Sequence, residues 1–169
     1  MRYVLRHKRS RRRVIENYQR ELTTAEMDGD LYYAYINDQG QVETGCVEHP
    51  AWHMVLPESK ARSHYSGIYL GEEKGELFLL YVCFEAMRNR YLLGAVYFFP
   101  GKQEEVICSA SHGRLHYAPF ELEGRLYLCA RMRDVREEEK ICLFRRENGH
   151  FLPVWAPDRP VSMTVRHQT

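Results

Sequence analysis

Between residues 76 and 99 the chain runs ELFLLYVCFEAMRNRYLLGAVYFF, two apolar stretches that meet at a polar turn around Arg88, Asn89 and Arg90. Side chains of a strand alternate between its two faces. On the first stretch Leu77, Leu79, Tyr81 and Cys83 therefore share one face, and Phe78, Leu80, Val82 and Phe84 the other. On the second, Tyr91, Leu93, Ala95, Tyr97 and Phe99 lie opposite Leu92, Gly94, Val96 and Phe98. Neither face is polar, so the pattern predicts a hairpin held between two other layers. Residues 126–133 alternate differently: Leu126, Leu128, Ala130 and Met132 are apolar, whereas Tyr127, Cys129, Arg131 and Arg133 are half-polar. That pattern predicts a sheet covered on one side only. Together the two patterns predict a stack of sheets with the doubly apolar one in the middle.

Weaker patterns fill in the rest. Residues 31–36 and 41–44 flank the turn Asn37-Asp38-Gln39-Gly40 as a further hairpin. Residues 2–5 read as a short strand whose partner, 14–18, lies across a basic tip at 8–13; a helix over 11–22 is the alternative. Residues 23–30 read as a polar connector, and 45–63, interrupted by Pro50 and Pro57, as an irregular segment. The tail 156–169 has two prolines and little periodicity, and reads as an arm or a disordered end.

The motif Gly-x-Leu-aromatic occurs three times, as Gly29-Asp30-Leu31-Tyr32, Gly75-Glu76-Leu77-Phe78 and Gly124-Arg125-Leu126-Tyr127. The last two copies share a lead-in, His64-Tyr65 to Leu70 and His116-Tyr117 to Leu122, with three extra residues before the glycine in the first of them. This recurrence predicts an all-β, mainly antiparallel domain over residues 1–155, built of three four-stranded units of about 50 residues near 1–50, 60–110 and 114–155. A β-sandwich or barrel satisfies the same face patterns. The stretch HYAPFELEGRLYL resembles the blade openings of carbohydrate-active five-bladed β-propellers. The resemblance implies blade-like units and a glycan-binding or glycan-hydrolysing relative. Three units are fewer than the four to eight blades that close a propeller ring, and no catalytic carboxylate of such enzymes maps onto this chain.

Charge adds a second layer of expectation. Formal net charge is +1, yet residues 1–20 hold eight Lys/Arg against Glu16 alone. Arginine outnumbers lysine nineteen to five, and guanidinium groups bind phosphate bidentately and stack on rings. Lys8, Arg9, Arg11, Arg12 and Arg13 at the basic tip, with Arg2 and Arg6 beside them, are candidate phosphate or nucleic-acid contacts. Tyr3 and Tyr18 are candidate stacking partners for bases. If the units are blades, His64, Tyr65, His116, Tyr117 and Arg114 lie on innermost strands, where imidazole, phenol and guanidinium suit a polar or anionic ligand.

Other chemistry is weaker. Cys46, His49 and His53 have side chains able to hold zinc, but structural zinc sites normally show two closely spaced ligand pairs, so no metal and no cofactor is expected. The five cysteines lack C-x-x-C spacing and read as small core residues in a reducing, cytoplasmic setting. Cys108-Ser109-Ala110-Ser111-His112-Gly113 groups a thiol, hydroxyls and an imidazole, without a nucleophile elbow, phosphate loop or metalloprotease motif elsewhere. No apolar run reaches the ~20 residues of a membrane-spanning helix. The sequence therefore points to a non-catalytic module that binds an anionic ligand, whether a nucleotide, a phosphorylated small molecule or a nucleic acid. A protein-interaction scaffold is a further alternative, and the half-polar third unit points to a homo-oligomer.

Overall fold

The computed structural model describes residues 1–9, 11–59, 61–99, 101–111, 114–133 and 138–155; the tail 156–169 lies outside them. The chain is nearly all antiparallel β. Strands β1 (Tyr3–His7) and β2 (Arg11–Ile15) form a separate hairpin. Sheet 1 contains β3 (Tyr18–Met27), β4 (Asp30–Asn37), β5 (Val42–Cys46) and β6 (His53–Leu56). Sheet 2 contains β7 (Arg62–Glu73), β8 (Glu76–Glu85), β9 (Arg90–Tyr97) and β10 (Gln103–Ser111), and sheet 3 contains β11 (Leu115–Leu122), β12 (Arg125–Arg133), β13 (Glu139–Glu147) and β14 (His150–Trp155). Each sheet is a meander of consecutive strands, the order found in a propeller blade, and none closes into a barrel.

The recurring glycine motif has a local cause. In the turns Asp28-Gly29, Lys74-Gly75 and Glu123-Gly124 both central residues have positive φ, 52° and 80°, 52° and 79°, 52° and 73°. That is the requirement of the type I′ turn, whose twist matches the strands it joins. Each glycine therefore leads directly into the second strand of its sheet.

Three cores bind the layers together. Tyr32, Ala34 and Ile36 of sheet 1 meet Leu77, Leu79, Tyr81 and Cys83 of sheet 2. The other face of sheet 2, Phe78, Leu80, Val82, Leu93 and Ala95, meets Leu126, Leu128, Ala130 and Phe144 of sheet 3. The doubly apolar hairpin thus lies in the middle, as its alternation predicts. A third core, Leu5 and Ile15 against Tyr33, Tyr35 and Val47, seats the β1–β2 hairpin on the far face of sheet 1. Sheet 1 is capped in this way, while among the described residues nothing covers the outward face of sheet 3.

Sheets 1 and 2 are also bonded along their first strands. β7 is bulged between Ser63 and Ser66 and again between Ser66 and Tyr69. A bulge leaves backbone groups outside the ladder. Side chains of sheet 1 satisfy them: Arg20 Nη2 donates to Tyr65 O (3.0 Å), Ile68 N donates to Glu21 Oε1 (3.2 Å), and Leu70 N donates to Thr23 Oγ1 (3.0 Å). From sheet 3, the Tyr117 hydroxyl donates to Gly67 O. The two bulges take up most of the extra length in the lead-in before Gly75.

The strand at the amino terminus and its partner across the basic tip are present, the partner lying at 11–15, and the alternative helix over 11–22 is not formed: Ile15 packs with Leu5 on sheet 1, and Leu22 belongs to β3 beside the same core. Two expectations change. Residues 23–27 of the expected connector belong to β3, pairing Thr24 with Tyr33 and Ala25 with Tyr32. Residues 53–56 of the expected irregular segment form β6, which pairs with β5 in the space between Pro50 and Pro57. Trp52 leads into that strand and packs on Tyr32 (5.1 Å between ring centroids) and Phe98 (5.5 Å), so it serves as cover for the core between sheets 1 and 2.

Candidate anion-binding surfaces

The β1–β2 register sorts the basic hairpin into two faces. Tyr3 pairs with Ile15, Leu5 with Arg13 and His7 with Arg11, and since Leu5 and Ile15 are buried, these pairs look inward. Val4 pairs with Val14 and Arg6 with Arg12, which places them outward. Arg13 is accordingly not a free tip residue: it is half-buried and its Nε donates to the Tyr33 hydroxyl at 3.1 Å. Tyr3 and Tyr18 pack on each other with centroids 5.3 Å apart, so their rings are already engaged. Arg6, Lys8, Arg9, Arg11 and Arg12 are exposed, and among the described residues none of them has a carboxylate partner. Arg2 has one, Glu16 at 3.7 Å.

His7 fixes this hairpin to sheet 1. Its Nδ1 faces Glu48 and its Nε2 lies 3.1 Å from Glu26 Oε1, while Glu48 Oε2 accepts from Leu31 N at 2.8 Å. Ionised carboxylates only accept, so the two of them favour the form of the ring in which both nitrogens donate. The hydrogen bond from Glu48 raises the His7 pKa above its ordinary 6.5, against the opposing effect of burial. Burial likewise opposes ionisation of Glu48, but the bonds from His7 and Leu31 outweigh it and the Glu48 pKa falls below 4.5. A raised histidine contributes stability in full below about pH 6.5 and loses it as pH rises through the folded value; a lowered carboxylate contributes above about 4.5 and loses it as pH falls. Hairpin docking is therefore tightest between those limits. Melting temperature should decline from pH 6 to pH 8.5, and His7→Gln should flatten that decline; an unchanged profile would remove His7 from this role. The charged groups that contact or register places beside it are Glu26, Glu48 and Arg11 across the hairpin.

The innermost-strand residues are divided between layers. Tyr65 is buried in the core between sheets 1 and 2, its pKa pushed up to about 12 by burial, and its ring meets Tyr81. Tyr117 packs against the core between sheets 2 and 3. His64 sits exposed at the β7 bulge with φ 57°, its Nδ1 2.8 Å from Ser63 Oγ. His116 and Arg114 lie instead on the outward side of sheet 3, beside Arg131 and Arg133, the outer-sheet arginines of the interaction-scaffold alternative.

There the register pairs His116 with Arg131, and the backbone N–H of Arg133 donates to Arg114 O at 3.0 Å. The two rows share one face. Arg114, His116, Arg131, Met132, Arg133 and Glu139 line an open hollow of about 350 Å³. Arg131 Nε donates to Glu139 Oε1 at 2.9 Å, and that bond holds the carboxyl below its usual range. A second hollow, about 480 Å³, opens at the other end of sheets 2 and 3 above Arg146. Arg146 is buried, paired with Glu76 and stacked over Phe78, Tyr97 and Phe151, so its charge is already satisfied.

No protein-family model matches this chain, and no curated protein does.

The remaining candidates have local partners. Cys46 is buried, its thiol toward Glu48; His49 pairs with Asp30 and His53 with Glu43 at 3.0 Å, and the described residues contain no cluster of three metal-capable side chains. Burial pushes the Cys108 thiol up to about 12, which keeps it protonated at neutral pH. Ser109 Oγ accepts from Arg90 Nη1 at 3.1 Å, and His112 and Gly113 lie outside the described residues. No helix is long and apolar enough to cross a membrane.

Proposed function

We propose that the chain is a non-catalytic binding module that recognises an anionic partner, a nucleic acid, through the outward face of its β1–β2 hairpin. Nucleotides and phosphorylated small molecules share the phosphate chemistry and are weaker ligands of the same face, because they meet fewer of its cations. The supporting observation is the pairing of Arg6 directly opposite Arg12. Like charges facing each other across a strand pair destabilise a sheet, and here they are flanked by Lys8 and Arg9 with no ion-paired carboxylate among the described residues to offset them. A phosphate backbone removes that repulsion and releases its own counterions on binding.

The test compares the wild type with Arg6→Gln/Arg12→Gln. Melting temperature should hold or rise, since the substitution relieves repulsion on an exposed face. Affinity for single-stranded DNA should drop, with the log–log salt slope smaller by about 0.7 for each phosphate that is no longer neutralised. Equal affinity in both proteins would end this reading. Salt-independent binding of an oligosaccharide would favour the glycan alternative instead.

Self-association is a second reading, supported by the outward face of sheet 3. Phe120 and Tyr127 stack there with centroids 5.4 Å apart, Ile141 and Leu152 are exposed, and no described segment covers them. A two-fold dimer would bury the Phe120–Tyr127 end of that face against itself, leaving the His116–Arg131 end open. Light scattering at micromolar concentration should give twice the chain mass, and a clean 20.1 kDa species would exclude the dimer.

A further inference from the structure

We propose that the outward side of sheet 3 carries a second phosphate-binding site, centred on Arg114 and Arg133, so that one chain holds nucleic acid at two separate places. This rests on the reading of the hairpin as a nucleic-acid face, and it extends that reading to a bivalent molecule.

Arg114 stands opposite Arg133, just beyond the pair His116–Arg131 on the same face. These four side chains make two adjacent rows, three guanidinium groups and an imidazole. The one carboxylate among the described residues lining the hollow is Glu139, and Arg131 engages it through Nε at 2.9 Å. Glu139 also stands across the ladder from Arg133, but its carboxylate is committed to Arg131. Arg114 and Arg133 have no ion-pair partner among the described residues. As with Arg6 and Arg12, two guanidinium groups are fixed opposite each other by strand register; here Glu139, although bonded to Arg131, also lies across from Arg133 and offsets part of its charge. Arg114 and Arg133 border a hollow of about 350 Å³, so a phosphate group can be met from two sides by planar donors, with His116 as a third.

The two sites cannot share one short ligand. The hairpin caps sheet 1 and the second site is on the outward face of sheet 3, with sheet 2 between. Sheets stack about 10 Å apart, so three intersheet gaps separate the clusters by roughly 30 Å. An extended strand of a few nucleotides on one cluster leaves the other open. A longer strand that reaches both gains affinity from linkage, since its second attachment is intramolecular.

The experiment is a titration of the full chain with a four-nucleotide single-stranded oligothymidylate, too short to reach both clusters, at low salt, reading stoichiometry per chain. The wild type should bind two. Arg114→Gln/Arg133→Gln and Arg6→Gln/Arg12→Gln should each bind one, and the four-fold variant none; both double variants should also lose affinity for a strand long enough to span the stack. Circular dichroism melts confirm that each variant folds. One oligonucleotide per wild-type chain, lost only with Arg6 and Arg12, would overturn the second site and leave the hairpin reading intact. One lost only with Arg114 and Arg133 would sustain the second site as the sole one and sink the hairpin reading. Two that survive Arg114→Gln/Arg133→Gln, or no binding at all, would overturn the proposal.

Discussion

Arg146→Ala should destabilise the protein by about 2–4 kcal/mol, a size typical of removing one partner from a largely buried ion pair. The Arg146 side chain is 2% exposed. Its guanidinium lies over Phe78 (4.6 Å), Tyr97 (5.1 Å) and Phe151 (5.3 Å), pairs with Glu76, and has Glu73 at 3.9 Å. Nη1 donates to the Tyr97 hydroxyl at 3.4 Å, and that hydroxyl donates to Glu105, which also meets His150 and the Phe151 N–H. One side chain thus links β8, β9, β10 and β14 across sheets 2 and 3. Alanine would leave a void among three rings and two carboxylates without their counter-charge. Glu76 is 35% exposed and can recruit water, which holds the loss below that of a fully buried pair. Arg146→Met, which refills the volume with an apolar stem, should recover part of it. Urea unfolding reads both; an Arg146→Ala midpoint equal to wild type would show that the network contributes nothing net.

Gly94→Ala should cost about 1–3 kcal/mol, the usual effect of overpacking a core. Gly94 lies directly opposite Tyr81 in the β8–β9 pair. A Cβ there would come within 2.5 Å of Tyr81 Cζ and its hydroxyl oxygen. The ring has no room to retreat: Tyr81 is 1% exposed and its hydroxyl accepts from Arg62 Nη1 at 2.9 Å. An aromatic ring lying across a facing glycine protects the backbone that the glycine leaves bare. Phe78 lies across Gly71 in the same way, and Tyr33 across Gly45. The cost should shrink when the ring is shortened, so Tyr81→Leu combined with Gly94→Ala should be less destabilising than the sum of the two single changes. Strict additivity would show that the glycine is needed for some reason other than this close approach.

Much of the architecture was legible because strand alternation is a local signal. The doubly apolar pattern of residues 76–99 required cover on both faces, and sheets 1 and 3 supply it. The half-polar pattern of residues 126–133 marked an outer layer, and the recurring Gly-x-Leu-aromatic motif marked the turn between the first two strands of each four-stranded meander. Less legible was β3, whose sequence YQRELTTAEM carries threonine and glutamate. Those polar groups are directed to the neighbouring sheet, where Glu21 and Thr23 bond the bulged backbone of β7. A sequence read strand by strand sees them as solvent-facing.

For the candidate surfaces the division has the same physical origin. Composition and period-two alternation are properties of neighbours along the chain, so they alone show that basic charge concentrates in the first twenty residues, that three meanders repeat, and that the middle one is buried on both faces. Tertiary structure alone decided which basic residues are free. Register turned Arg13 inward to Tyr33 and left Arg6 and Arg12 facing each other outside. It also separated the repeated His-Tyr pairs, placing Tyr65 and Tyr117 in two different cores and drawing Arg114 and His116 toward Arg131 and Arg133. Those outcomes depend on which strand lies beside which and on a one-residue choice of register, and a one-residue slip sends every side chain of a strand to its other face.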